Sequence, residues 1–185
     1  MTESKVVADA VEILGAVHRE TRKPRPVIIV DQQEKLPLTR FFDPAMVQVE
    51  TAALSTGDYS LKGATELLAI ERKSLADLLH CCTTDRERFM DQLRRMKNYP
   101  TRFLVVEAKR EEIESEIYTR NVRAASVINT VLGAAVRWNI CVEYRDSPAD
   151  AARMVQWICL KVAQLQREGF YDSKKEESAA DETAA

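Results

Sequence analysis

Only two histidines, His18 and His80, occur among 185 residues, which argues against a histidine-built metal centre and against nucleophile–histidine chemistry. Four cysteines, Cys81, Cys82, Cys141 and Cys159, show none of the paired spacings of a zinc site. With no secretory signal beside them, they read as reduced thiols. No apolar run approaches the roughly 18–20 residues that span a membrane. An excess of one charge is missing as well: the net charge is −2. Residues 172–185 hold five acids against two bases, which leaves the rest of the chain at +1. Any contact with a polyanion must therefore come from a local patch. These absences predict an intracellular protein of the cytoplasm or of the nucleoid or nucleus, not secreted and with no membrane partner.

What is present suffices for a packed domain, with 45% hydrophobic and 30% charged residues and no internal repeat. Residues 4–19 carry Val7, Ala10, Val11, Leu14 and Val17 at helical spacing, with His18 where the stripe stops. A basic connector, residues 21–26, follows, and residues 1–24 read as an N-terminal helix and linker. Residues 25–170 form the single domain, and residues 171–185 a charged tail with too little apolar surface to fold. Within the domain, residues 27–30 form a continuous β-branched run, as in a strand buried on both faces, ending at Asp31. Strands are also expected at residues 46–54, 103–106 and 140–144. Helices are expected at residues 85–99, 110–118, 121–138 and 148–167. Trp138 and Trp157 read as core or interface residues.

The chemistry concentrates in residues 57–77, GDYSLKGATELLAIERKSLAD. Turn residues around Gly63 separate two strand-like runs, and a turn at residues 63–66 sets Asp58 opposite Glu71 across an antiparallel pair. Side-chain alternation places Leu67, Ala69, Glu71 and Lys73 on one face. Two opposed carboxylates repel unless a cation compensates them. Lys73 alone could do so as a weak surface ion pair. A divalent ion suits clustered carboxylate oxygens better, and Mg²⁺ or Mn²⁺ held by one or two carboxylates, with water and phosphate completing the shell, is the usual nucleotide-hydrolysing arrangement. Ser74 with Asp77 reads as a helix cap of the capping-box kind. Arg88 and Gln92, four apart, project from one helix face. Arg94 and Arg95 belong to the most basic part of the chain, either an ordinary solvent face or a phosphate contact.

Gly57-Asp58, then Glu71-Arg72-Lys73 and Asp77, resembles the signature of the XPF-type structure-specific endonuclease family. The likeness extends upstream to VIIVDQQEKLP and downstream to RFMDQ and FLVVE, covering about residues 27–107. It implies an α/β fold with a restriction-endonuclease-like core, a central mixed β-sheet flanked by helices. It also implies hydrolysis of DNA phosphodiester bonds with Mg²⁺ or Mn²⁺, at branched, flap or fork structures in repair, recombination or replication. By motif position Asp58, Glu71 and Asp31 are implied as metal ligands, with Glu34 supporting the metal or its waters. Lys73 is implied to orient or activate the attacking water and to stabilise transition-state charge. Arg72, on the other strand face, is expected to pair with Asp77 or another acid, and Arg88 and Gln92 to contact DNA or brace the site. Gln33 stands where the family has arginine, and no tandem helix-hairpin-helix module follows Phe170. A homodimer or heteromer through residues 121–138 and 148–167 is expected from the family habit. Two alternatives remain: a non-catalytic DNA-binding or dimerisation subunit of a nuclease complex, and a nuclease without branch specificity.

Overall fold

The computed structural model describes residues 24–115 and 123–172. Six strands form one mixed sheet: β1 (Val27–Asp31), β2 (Gln48–Ala52), β3 (Tyr59–Leu61), β4 (Leu68–Ser74), β5 (Thr101–Glu107) and β6 (Cys141–Tyr144), in the order β2-β1-β3-β4-β5-β6. The β1–β2, β4–β5 and β5–β6 pairs are parallel; β3 runs antiparallel to both β1 and β4. The helices are α1 (Leu75–Thr83), α2 (Arg86–Met96), α3 (Arg110–Glu114), α4 (Ala124–Trp138) and α5 (Pro148–Arg167), with a 3₁₀ turn at Leu38–Phe41.

Alternation along the central strands divides the core in two. Ile28, Val30, Tyr59, Leu68, Ile70 and Val105 face α5 and the 3₁₀ turn, meeting Val155, Ile158 and Cys159. Ala69, Leu104 and Val106 face α1, α2 and α4, meeting Leu78, Phe89, Leu93 and Val131. Both layers are close to solvent-free, the condition under which a sheet strand reads as an unbroken apolar run.

The expected helix 148–167 coincides with α5, opened by the Ser147 cap. Residues 121–138 shrink to α4; residues 121 and 122 lie outside the described residues, as do the end of the expected helix 110–118 and the expected N-terminal helix. The strand expected at 46–54 is the shorter β2, an exposed sheet edge. The tail boundary is corrected. Tyr171 is buried and its hydroxyl hydrogen-bonds Thr101 Oγ1 at 2.8 Å, so packing continues past Gly169. Trp138 is half-buried against the α4 layer, whereas Trp157 on α5 is exposed and belongs to no core. The four cysteines are free thiols. Among the described residues no helix is long and apolar enough to cross a membrane.

Candidate active site

The β3–β4 hairpin pairs Tyr59 with Ile70, the register that brings Asp58 opposite Glu71. Leu67 departs from the expected face. The amides of Leu67 and Leu68 both donate to Ala64 O, so Leu67 still belongs to the turn and packs toward α5. Strand alternation starts only at Leu68. Gly57 explains the residue that precedes Asp58. Its φ is +83°, and a Cβ there would stand 2.8 Å from Ile70 O. Only glycine meets both conditions without strain. The close approach lets the Asp58 amide donate to Ile70 O at 2.8 Å, which fixes the carboxylate at the mouth of the hairpin.

Asp58 Oδ2 accepts the Arg72 amide at 2.7 Å. Glu71 is wholly excluded from solvent. One of its oxygens meets Lys73 Nζ, and the other accepts Gln92 Nε2 at 2.6 Å. Lys73 Nζ also lies 5.9 Å from the Phe89 ring centre. A buried carboxylate with a lysine, an amide and an acid around it is no solvated surface pair.

Electrostatics follow from this burial. Desolvation lifts the Asp58 pKa to about 6, opposed by the Arg72 amide and the Lys73 charge. Desolvation, then the Asp58 charge, lifts Glu71 to about 7. Burial works against the Lys73 ammonium, but Glu71 and Asp58 outweigh it, and the net shift is upward. Lys73 is therefore a fixed cation at neutral pH.

The other sequence candidates sort into distinct jobs. Asp31 holds a loop: Oδ1 accepts the Leu54 amide at 2.8 Å and Oδ2 the Gln33 amide at 3.0 Å. Its own amide donates to Asp58 O at 2.8 Å. It thus ties the end of β1 to the segment that carries Gly57 and Asp58, as an Asp in a turn does. Among the described residues no three acidic, histidine or cysteine side chains gather into a metal-binding group. Glu34 stands nearer the pair, since its charge raises both Asp58 and Glu71. Arg72 does not pair with Asp77. Its Nε and one terminal nitrogen donate to the two oxygens of Glu107, both at 2.7 Å, and the other nitrogen lies 3.7 Å from Glu34. Ser74 caps α1: its Oγ accepts the Asp77 amide at 3.2 Å and donates to Asp77 Oδ2.

On α2, Gln92 reaches Glu71 while Arg88, one turn earlier, is exposed and pairs with Asp85 at 2.6 Å. Arg94 points elsewhere, toward Asp91 at 3.0 Å. Arg95, one turn after Gln92, lines a cleft beside the hairpin. Glu107 was not singled out from the sequence. Its signal is the parallel β4–β5 register, which sets Ser74 beside Glu107 at the strand ends and brings a carboxylate within reach of Arg72.

The donor set fits a hard divalent cation. Asp58 Oδ1 has no hydrogen bond among the described residues, and both carboxyls sit in a site where burial and mutual repulsion disfavour the ionised pair. Two carboxylates with water and phosphate make an adequate Mg²⁺ or Mn²⁺ shell.

The family model described as ERCC4 domain matches residues 20–157. Two solved structures share the architecture. XPF from Aeropyrum pernix in complex with DNA superposes with a TM-score of 0.61 at 22% identity, over 76% of this chain and 66% of that one. XPF from the same organism without DNA gives 0.61 at 20% identity, over 83% and 73%. The mixed sheet with flanking helices is the restriction-endonuclease-like fold. No curated protein matches the chain.

Proposed function

The chain belongs to the ERCC4 domain family, and on that premise we propose that it is a divalent-metal-dependent DNA endonuclease. The observation that carries the reading is Glu71, a fully buried carboxylate placed beside Asp58 and held by Lys73 and Gln92. A carboxylate is kept in such an environment at a cost in stability, which functional sites commonly carry. The Aeropyrum pernix XPF was solved with DNA, which supports the substrate class.

In this proposal Asp58 and Glu71 hold Mg²⁺ or Mn²⁺. When bound, the ion would polarise the scissile phosphate and lower the pKa of a coordinated water. Lys73, charged throughout the neutral range, orients the attacking water through its oxygen and offsets charge developing on the phosphate. Gln92 keeps the Glu71 carboxylate from rotating, and Asp31 with Gly57 sets the position of Asp58. The Arg72–Glu107–Glu34 group fixes the β4–β5 strand ends behind the site. Arg88 and Arg95 flank the hairpin as cationic contacts for the DNA backbone. Branched, flap or fork DNA is the proposed geometry, within repair, recombination or replication. A second copy or a partner chain is proposed to cover the late helices, supported by exposed Leu132 and Val136 on α4 and Trp157 on α5.

The test is cleavage of labelled flap, fork, single-stranded and linear duplex DNA with Mg²⁺, Mn²⁺ or EDTA. Metal-dependent cutting that Asp58→Asn abolishes is expected; cutting at the wild-type rate by that variant would overturn the site.

A further inference from the structure

Of the cleft next to the hairpin, only Arg95 has a part in the mechanism above. It measures about 510 Å³ and has three walls: Ala53, Leu54, Ser55 and Thr56 after β2, Thr65 and Glu66 in the hairpin turn, and Arg95, Asn98 and Tyr99 at the end of α2. That volume lies within the range of sites that enclose a small organic group, about 300–1,000 Å³.

Its walls are continuous with the proposed active site. Thr56 precedes Asp58 by two residues, so their Cα atoms are no more than about 7 Å apart. Arg95 follows Gln92 by three residues on the same face of α2, a rise of about 4.5 Å. Gln92 in turn contacts Glu71 at 2.6 Å. The cleft therefore shares the segment before β3 and one face of α2 with the proposed active site.

The polar groups of the cleft are uncommitted. Arg88 pairs with Asp85, Arg94 with Asp91, and Arg86 Nε with Thr130 at 3.4 Å. The Arg95 guanidinium has no ion pair or hydrogen bond among the described residues, and neither do the side chains of Asn98, Ser55 and Thr65. Thr56 alone spends its hydroxyl, on Ser55 O at 2.7 Å. One free guanidinium, one free amide and one aromatic ring around a concave space make a recognisable combination: a cation for a phosphate, a donor–acceptor for a base edge and a face for stacking. Glu66 repels a phosphate at the opposite wall, which sets the phosphate toward Arg95.

We propose that this cleft is a subsite for one unpaired nucleotide of the substrate strand, neighbouring the cleaved phosphate, with its phosphate on Arg95 and its base between Tyr99 and Asn98. The inference rests on the nuclease reading and deepens it: the enzyme reads single-stranded character at a fixed offset from the cut. A base pair does not enter a cleft of this size, so fully paired DNA leaves the subsite empty.

The experiment is an abasic scan. Fork and single-stranded oligonucleotides, each lacking one base at a successive position around the cut, are measured for cleavage KM and for binding in EDTA by anisotropy. One position next to the cut is expected to weaken binding about tenfold when its base is missing, the scale of a lost base–aromatic stack. Thr65→Trp, which fills the cleft from an exposed turn position, is expected to erase that sensitivity, and Tyr99→Ala to do the same. Arg95→Ala should weaken all oligonucleotides alike. Sensitivity spread evenly over positions, or unchanged in Thr65→Trp, would overturn the subsite even if cutting is intact. Position-specific binding without any cutting would uphold the subsite and overturn the hydrolysis reading instead.

Discussion

Replacing Asp58 by asparagine should make the protein more stable and less active at once. The side chain keeps its shape, and an amide oxygen can still accept the Arg72 amide that now meets Asp58 Oδ2 at 2.7 Å. What goes is a charge. The Asp58 carboxyl is raised from 3.8 to about 6 by desolvation, against the pull of the Arg72 amide and Lys73. That rise corresponds to about 3 kcal/mol against the ionised fold, part of which solvent contact at Asp58 screens. About 1–2 kcal/mol is the realistic gain at pH 8, or about 2–8 °C in Tm for a domain of this size. The sign follows from linkage. Both carboxyls bind their protons more tightly in the fold than in the unfolded chain, so metal-free stability falls as pH rises from about 4 to about 7. Below pH 4 the wild-type carboxyls are protonated, and the advantage of asparagine disappears. Thermal melts at pH 4 and pH 8, with EDTA and with Mn²⁺, read all of this. Mn²⁺ should raise the wild-type Tm at pH 8 and leave the variant nearly unmoved. Cleavage should drop by more than about 100-fold, since even outer partners of a metal are worth about 10–100-fold. A variant that melts below wild type at pH 8, or by the same difference at both pH values, would refute the reasoning.

Gly57→Ala forces a Cβ to 2.8 Å from Ile70 O at φ +83°; a loss of about 1–3 kcal/mol in urea unfolding and a matching fall in single-turnover cleavage are expected. Arg72→Ala leaves the Glu107 and Glu34 carboxylates buried without their cation, so stability should fall by about 3–5 kcal/mol in urea unfolding. Gln92→Leu removes a donor from Glu71 Oε2, and the acid limb of the pH–rate profile should move to higher pH because the ionised form loses a hydrogen bond. Arg88→Ala, exposed and paired with Asp85, should leave the melt unchanged while DNA binding weakens and its salt dependence loses about one unit of slope.

The hairpin was legible in the sequence because its turn residues and alternation are local signals. A turn at 63–66 fixes the Asp58–Glu71 register, and the pairing of Tyr59 with Ile70 obeys it. Leu67 shows the limit of that logic: alternation has meaning only inside the strand, and the turn extends one residue further than its glycine suggests. The partner of Arg72 was not legible. Asp77 is near in sequence, but Ser74 already holds it at the helix cap, and Glu107 reaches the guanidinium only through the β4–β5 register. Long-range parallel pairing leaves no mark within a window of residues. Asp31 at the end of a buried strand could cap a turn or meet a metal. The turn role is visible in two backbone amides, those of Gln33 and Leu54, which no spacing rule announces, and it leaves acceptor capacity on the carboxylate. The cleft beside Arg95 was equally hidden, since its three walls come from segments up to about 40 residues apart that only the sheet brings together.

The pleat of β4 carries a division of labour that the functional reading depends on. Ala69, Glu71 and Lys73 face α1 and α2, and Ile70 and Arg72 face the other way. The proposed chemistry is thus confined to one face of a strand whose other face is clamped by apolar packing and by the Arg72–Glu107 fork. A buried acid pair that strains the fold needs such a backing, because the strand cannot relax by slipping one residue without turning Arg72 into the α2 layer and Glu71 and Lys73 into the α5 layer. The strain at Asp58 and Glu71 is consequently held in the side chains, where a cation can relieve it, and not dissipated in the backbone. This is also why Arg72, sitting between two acids of the motif, is best understood as structural: its guanidinium is committed on the face away from Lys73, and its amide alone reaches Asp58.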